Sequence, residues 1–393
     1  MKNKFPQISR ELWIASCGCM LLLVCWGLAY SMPVLFPRLA EQFSVPAWHL
    51  AACFSIGGAV YFAIGGLAGA MSDRYGTPIV VSLGLLTCAA GFLAASFASS
   101  EIVFAAGYIV AVGAGVGLTY APVTAAVQVL CVRDKIIAAG IASAGIGFGS
   151  LILPPVVAWL NRGWDWRFAL QMMAGLAVIG ILPVFSLRGM VETAPPATSV
   201  SPLRTNRRFQ LAFVAQVLFA IVAFVPFAHL VGIALSNGWS SMEGVELISI
   251  LGLGSTVGRF LVVPVAHRVG SCEAASMFAY VMSASLAILG LVQHHGVIWV
   301  DVVIFGLAYG GIIALTAPIN AEICGPANSG RNIGTLMSAR AIGVFVGPWA
   351  VGVSEWWLGD YRLPMLGCAV MGIATAICMD RCAPRQTAPA IAA

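Results

Sequence analysis

A chain of 393 residues that is 60% hydrophobic and 9% charged, with a mean hydropathy of +0.95, is far from a water-soluble domain, in which roughly a quarter of residues carry charge. That composition excludes a soluble globular protein. The net charge of +5 therefore has to be read against a bilayer before it is read as attraction to any partner.

The N-terminal stretch, with Lys2, Lys4 and Arg10, is too lightly charged, and too poorly followed by a small-residue cleavage site, for a signal peptide. The first apolar run is expected to stay as a membrane span. Runs of about 20 apolar residues recur along the whole length, the signal of transmembrane helices. Twelve are expected, at about 12–36, 48–70, 78–98, 102–130, 138–160, 166–187, 210–233, 245–266, 272–292, 297–321, 332–354 and 362–380. The fold class is thus an all-α membrane protein.

Lysine and arginine bias gives the orientation. With the N-terminus inside, fourteen of the twenty Lys and Arg residues fall on the inner side, four (Arg38, Arg162, Arg167, Arg362) on the outer side, and two, Arg259 and Arg340, within helices. The expectation is a multi-pass protein of the cell's inner or plasma membrane with both termini cytoplasmic. The positive charge follows from topology, and a nucleic-acid partner has no basis. The eleven cysteines are scattered, mostly inside helices. None has metal-site spacing with histidines nearby, and they read as small apolar packing residues. No cofactor or metal is expected.

The stretch Arg188–Arg208 (RGMVETAPPATSVSPLRTNRR) is the only sizeable polar, Pro/Ser/Thr-rich interval and lies at the midpoint. It divides the chain into an N-terminal six-helix bundle (1–187), a cytoplasmic linker (188–209) and a C-terminal six-helix bundle (210–393). The halves look related. Asp73-Arg74-Tyr75-Gly76 answers His267-Arg268-Val269-Gly270 at an offset of 194. Gly140, Gly149 and Pro154 answer Gly334, Gly343 and Pro348 at the same offset, and Gly115 and Pro122 answer Gly311 and Pro318 at 196. Repeats of this kind point to a transporter whose substrate site lies between two pseudo-symmetric bundles near the bilayer midplane.

The buried charges narrow the cargo. Arg259 stands in ISILGLGSTVGRFLVVPVAHRVG and Arg340 in GTLMSARAIGVFVGP. An arginine at the centre of a membrane helix costs about 2.5–3.5 kcal/mol on insertion scales. All fifteen acids lie near predicted helix ends or in loops, so no carboxylate is expected beside either arginine. A buried cation without a protein anion needs water or a ligand anion. Two such cations attract a substrate with one or two negative charges, although each arginine can alternatively brace neighbouring helices. His229, on helix 7, is of the one residue type whose ordinary pKa lies near the physiological range, which makes it a candidate proton site; a hydrogen-bonded structural histidine is the alternative.

The segment GGLAGAMSDRYG (Gly65–Gly76) resembles the signature loop between helices 2 and 3 of the major facilitator superfamily, and the resemblance covers nearly the whole chain. Its glycines are expected to permit close helix packing. By the resemblance, Asp73, with Arg74 and Gly76, helps to latch an inner gate. The motif is degraded: Thr77 and Pro78 stand where basic residues are usual, and His267 replaces the acid in the second copy.

Within the superfamily, GAGVGLTYAP (Gly113–Pro122) with VRDKIIAAGIASAGIGFGSLILPP (Val132–Pro155), and VPFAHLVGIALSNGWSSMEGVELISILGLGSTVGRF (Val225–Phe260), resemble the monocarboxylate transporter and oxalate–formate antiporter branch. That resemblance puts Arg259 where the branch keeps its substrate-binding arginine and likens Arg340 to the oxalate transporter's second basic residue. It likens Tyr30, Tyr120 and Tyr309 to that transporter's aromatic cavity walls. The branch often carries an acid four residues before its arginine; here Ser255 stands there, and proton coupling by that route lacks its acid. Gly140, Gly149 and Pro154–Pro155 also form a partial antiporter motif on helix 5.

The expected function is secondary active transport of a small organic anion, a mono- or dicarboxylate, by alternating access. Moving an anion inward against an inside-negative potential costs about 2.3 kcal/mol per 100 mV, so accumulation needs proton symport or exchange for a counter-anion. The alternative is a carrier, importing or exporting, of a larger amphipathic compound such as a drug, an aromatic acid or a vitamin. A membrane sensor or enzyme has less behind it: the sequence offers no added soluble domain, nucleophile–base pair or metal cluster. A monomer is expected.

Overall fold

The computed structural model describes residues 7–131, 135–187, 207–324 and 329–383. The expected linker lies almost wholly outside the described residues, and so does the side chain of Asp73. Among the described residues the chain is helical, without strands. Twelve helices are long and apolar enough to cross a membrane: α1 (Arg10–Phe43), α2 (Ala47–Ser72), α3 (Thr77–Ser96), α4 (Glu101–Val127), α5 (Ala138–Gly163), α6 (Trp166–Phe185), α7 (Arg207–Ser236), α8 (Ser241–Val269), α9 (Ser271–Leu291), α10 (His295–Ala314), α11 (Thr335–Leu358) and α12 (Arg362–Cys382).

Two spans differ in extent from the expectation, and proline accounts for both. α1 continues to Phe43 through a 3-10 turn, Met32–Leu35, that has Pro33 as its second residue. α10 stops at Ala314, and a separate helix, Thr316–Cys324, follows. Pro318 has no N–H to offer the Ala314 carbonyl, so the helix cannot run through that point. α7 breaks likewise at Phe224, just before Pro226.

The helices assemble as two six-helix bundles of the same design. In the first, α1 packs on α5, α2 on α4, and α3 on α6; in the second, α7 packs on α11, α8 on α10, and α9 on α12. The bundles meet along the pairs α2–α11 and α5–α8, which the repeat itself relates. The offset of 194 is visible in atomic packing. A Cβ on Gly149 would meet the Leu23 carbonyl and Gly27, and one on Gly343 the Val217 carbonyl and Ile221, each contact displaced by 194 residues. Gly76 and Gly270 both turn the chain between adjacent spans, at φ 88° and 99°, where an L side chain is strained.

The signature-loop glycines correct one expectation. A Cβ on Gly65, Gly66 or Gly69 would have nothing within 4 Å among the described residues, so close packing between those residues does not use them. The tight helix pair is α8–α10, where Gly254 and Gly258 rest on the carbonyls of Val303 and Leu307, and Gly306 and Gly310 on those of Leu251 and Ser255.

Candidate functional site

Arg259 lies 18 residues into the helix Ser241–Val269 and 10 from its end, which puts its Cα about 15 Å from the nearer terminus at the helical rise. It is only 2% exposed. Its Nη1 donates to the Ser255 carbonyl at 3.0 Å and to the Ser255 hydroxyl at 2.8 Å. Nε and Nη2 are buried and have no hydrogen-bond partner among the described residues. Ser255 thus satisfies one corner of the guanidinium and leaves the other two donors for something else.

Arg340, 1% exposed on α11, is held differently. Its Nε donates to Gln216 Oε1 at 2.7 Å and its Nη2 to Thr316 Oγ1 at 2.6 Å, with the guanidinium over the Phe219 ring at 5.3 Å. Among the described residues no carboxylate pairs with either arginine. The two are nevertheless unequal: Arg340 has its fork engaged by the protein, and Arg259 does not.

Both arginines interact electrostatically with Tyr30, Tyr120 and Tyr309. Tyr30 and Tyr309, from opposite bundles, share a hydrogen bond of 2.9 Å between their hydroxyls. Tyr30 stacks on Phe227 at 4.0 Å between centroids, and Trp26 lies edge-on to both Tyr61 and Tyr120 at 5.0 and 5.9 Å. A pocket lined by Trp26, Tyr30, Tyr61, Phe62, Tyr108 and Phe224, among others, holds a cavity of about 20 Å³. That is room for about one water, so a larger occupant requires these rings to move. Trp26 Nε1 and Tyr108 Oη are buried without a partner among the described residues.

The other expected residues fall elsewhere. His229 is buried in the second half of α7, with Nε2 2.8 Å from the Pro348 carbonyl, and Nδ1 3.5 Å from the Tyr361 hydroxyl. Nε2 must carry the proton to donate to a carbonyl, which leaves Nδ1 as acceptor. Arg74 is exposed and lies over the Tyr75 ring at 5.3 Å. Gly76 caps the helix that α2 continues, donating to Ser72 O at 2.8 Å. No group of metal-ligating side chains occurs among the described residues.

A family model of the Major Facilitator Superfamily matches residues 14–348. The chain belongs to the Major Facilitator Superfamily. It is therefore a multi-pass membrane transporter and not an enzyme. Its relatives include monocarboxylate transporter 11 of Homo sapiens, 26% identical over 359 residues that cover 87% of this chain and 76% of the relative. The MFS-type transporter opdF of Penicillium oxalicum is 25% identical over 293 residues, 72% of this chain and 68% of that one. Among solved structures, the human organic anion transporter MFSD10 (TETRAN) superposes with a TM-score of 0.71 at 16% identity, over 96% of this chain and 100% of that one. These likenesses support a superfamily member of the monocarboxylate transporter branch.

Sequence reasoning missed three residues of this candidate site. Gln216 and Thr316 engage Arg340, and Phe219 lies under it. Gln216 carried a signal: it is the one amide in the apolar run from Leu211 to Leu235.

Proposed function

We propose that this transporter moves a small organic anion, a mono- or dicarboxylate, across the cell's inner or plasma membrane by alternating access, as a proton symporter or an anion exchanger, working as a monomer with both termini cytoplasmic. The observation that carries this reading is Arg259: a buried guanidinium with, among the described residues, Nε and Nη2 unpartnered and no acid paired with it. A carboxylate can meet those two donors side by side, which a lysine ammonium cannot offer in the same geometry. Tyr30, Tyr120 and Tyr309 wall the site, and Arg340 supplies a second positive field. Asp73, Arg74 and Gly76 act at the gate, and 188–209 links two six-helix halves. The names of the monocarboxylate transporter relatives support the substrate class.

Arg259→Gln tests it in proteoliposomes. Uptake of labelled carboxylates is expected to disappear while the variant remains folded and inserted; uptake equal to the wild type would overturn the anion role.

The aromatic lining around Trp26 and Tyr108 favours a second reading, a larger amphipathic anion such as an aromatic acid. Competition separates the two: oxalate, lactate or pyruvate displaces the true substrate in the first case and fails to in the second.

A further inference from the structure

The site described above leaves one ionisable group unused. Asp301 lies six residues into α10 and is 2% exposed, the one buried acid among the described residues. Its Oδ2 accepts from the Ser285 hydroxyl of α9 at 2.9 Å, and Ser285 Oγ also lies 3.3 Å from the Asp301 carbonyl oxygen. Oδ1 is buried with no partner among the described residues. An acid survey by sequence puts this residue near a helix end; the packing of α9 against α10 turns it inward.

Charged and titratable groups on the elements packed against α10 are Glu243, Glu246, Arg259, His267 and Arg268 on α8, Cys272, Glu273 and Tyr280 on α9, Arg162 on α5, and Glu322 on the helix Thr316–Cys324, with His295 and Tyr309 on α10 itself. None of them hydrogen-bonds or ion-pairs with Asp301 among the described contacts. An ionisable side chain inside a membrane span that nothing neutralises marks an ion or proton path. A proton on Oδ1 removes a charge that the surroundings otherwise have to hold with one hydroxyl.

The position of Asp301 links it to Arg259. Two residues on from Asp301, Val303 begins the glycine-seated contact between α10 and α8, and at the other end of that contact Gly310 rests on the Ser255 carbonyl. The same Ser255 carbonyl and hydroxyl hold Arg259. Close-packed interfaces of this kind shift as units and do not deform continuously. A change in the Asp301–Ser285 latch between α9 and α10 is therefore carried to the group that positions the anion-binding guanidinium.

We propose that Asp301 is the proton-binding site of this transporter: it takes one proton from one side of the membrane and gives it up on the other as one anion crosses at Arg259. The coupling half of this proposal rests on the anion reading of Arg259. For a monoanion the cycle moves no net charge, and the equilibrium accumulation ratio rises about tenfold per unit of inward pH gradient.

Two measurements on the full-length protein test it. Infrared difference spectra of the purified protein across a pH titration are expected to show a protonated-carboxyl carbonyl band that Asp301→Asn removes and Ser285→Ala moves to a different pH. In proteoliposomes with labelled pyruvate, lactate or oxalate, Asp301→Asn is expected to lose acceleration by a pH gradient and to keep equilibrium exchange, whereas Arg259→Gln loses both. A band unchanged in Asp301→Asn, a wild type indifferent to the pH gradient, or a variant that still responds to it overturns the proposal. If the wild type carries none of the three probes, the anion reading and the coupling half fall together, and the infrared band alone decides whether Asp301 binds the proton.

Discussion

The hydroxyls of Tyr30 and Tyr309 lie 2.9 Å apart, one on α1 and the other on α10, so this hydrogen bond joins the two bundles, as does the one from Trp349 N–H to Ser55 Oγ at 3.0 Å. Alternating access separates the bundles on one side at a time, and a bond at this place helps to set the balance between the states. Tyr309→Phe removes the hydroxyl and keeps the ring against Phe227 and Phe224. The expected cost is about 1 kcal/mol, a change of about fivefold in the equilibrium between states. In a double-mutant cycle on transport rate, Tyr30→Phe with Tyr309→Phe is expected to be no worse than the worse single variant; additive losses would show that the hydroxyls act separately.

The parts of this molecule written locally were legible. Twelve spans follow from length and apolarity, and the repeat at 194 residues recurs as displaced glycine contacts at Gly149 and Gly343. Arg259 was legible because one charge in an apolar run is expensive wherever its neighbours are. What depends on distant partners was not. Gln216 reaches Arg340 across 124 residues of chain, and the inward turn of Asp301 is decided by Ser285 on another helix. The glycines of the signature loop misled for the same reason: small residues permit a close approach, but the neighbour that uses it is chosen by the fold.

Arg340 needs Gln216. Burying a guanidinium without its acceptors leaves donors dry, at about 1–3 kcal/mol for each group stranded. Gln216→Leu strands Arg340 Nε and is expected to lower the thermal unfolding midpoint of the purified protein. Gln216→Glu, which restores an acceptor, is expected to recover it. A Gln216→Leu protein as stable as the wild type would remove Gln216 from any bracing role.

Glycine substitutions separate contact from composition. Gly258→Ala would drive a methyl into the Leu307 carbonyl, whereas Gly69→Ala meets nothing within 4 Å. The first is expected to destabilise the α8–α10 pair by roughly 1–3 kcal/mol. The second is expected to be neutral or to stabilise by up to about 1 kcal/mol, since alanine suits a helix interior better than glycine. Thermal unfolding of the two variants in the same detergent checks the ordering.

Ser255 decides how much of Arg259 is free. Its hydroxyl takes Nη1 at 2.8 Å, so a carboxylate placed there, as in Ser255→Asp, would form an ion pair inside the bundle and compete with the substrate anion for the same guanidinium. Charge-assisted hydrogen bonds are worth about 1.5–3 kcal/mol, which predicts a loss of anion affinity of roughly 10–150-fold near neutral pH. The sign of the pH dependence follows from the introduced acid. When it is ionised it holds Arg259, and when it is protonated it releases Nη1; affinity in Ser255→Asp is therefore expected to recover as pH falls, more steeply than in the wild type. Binding of labelled carboxylates to the purified variant across a pH series measures this directly. A variant that binds as tightly as the wild type at neutral pH would place the anion away from Arg259.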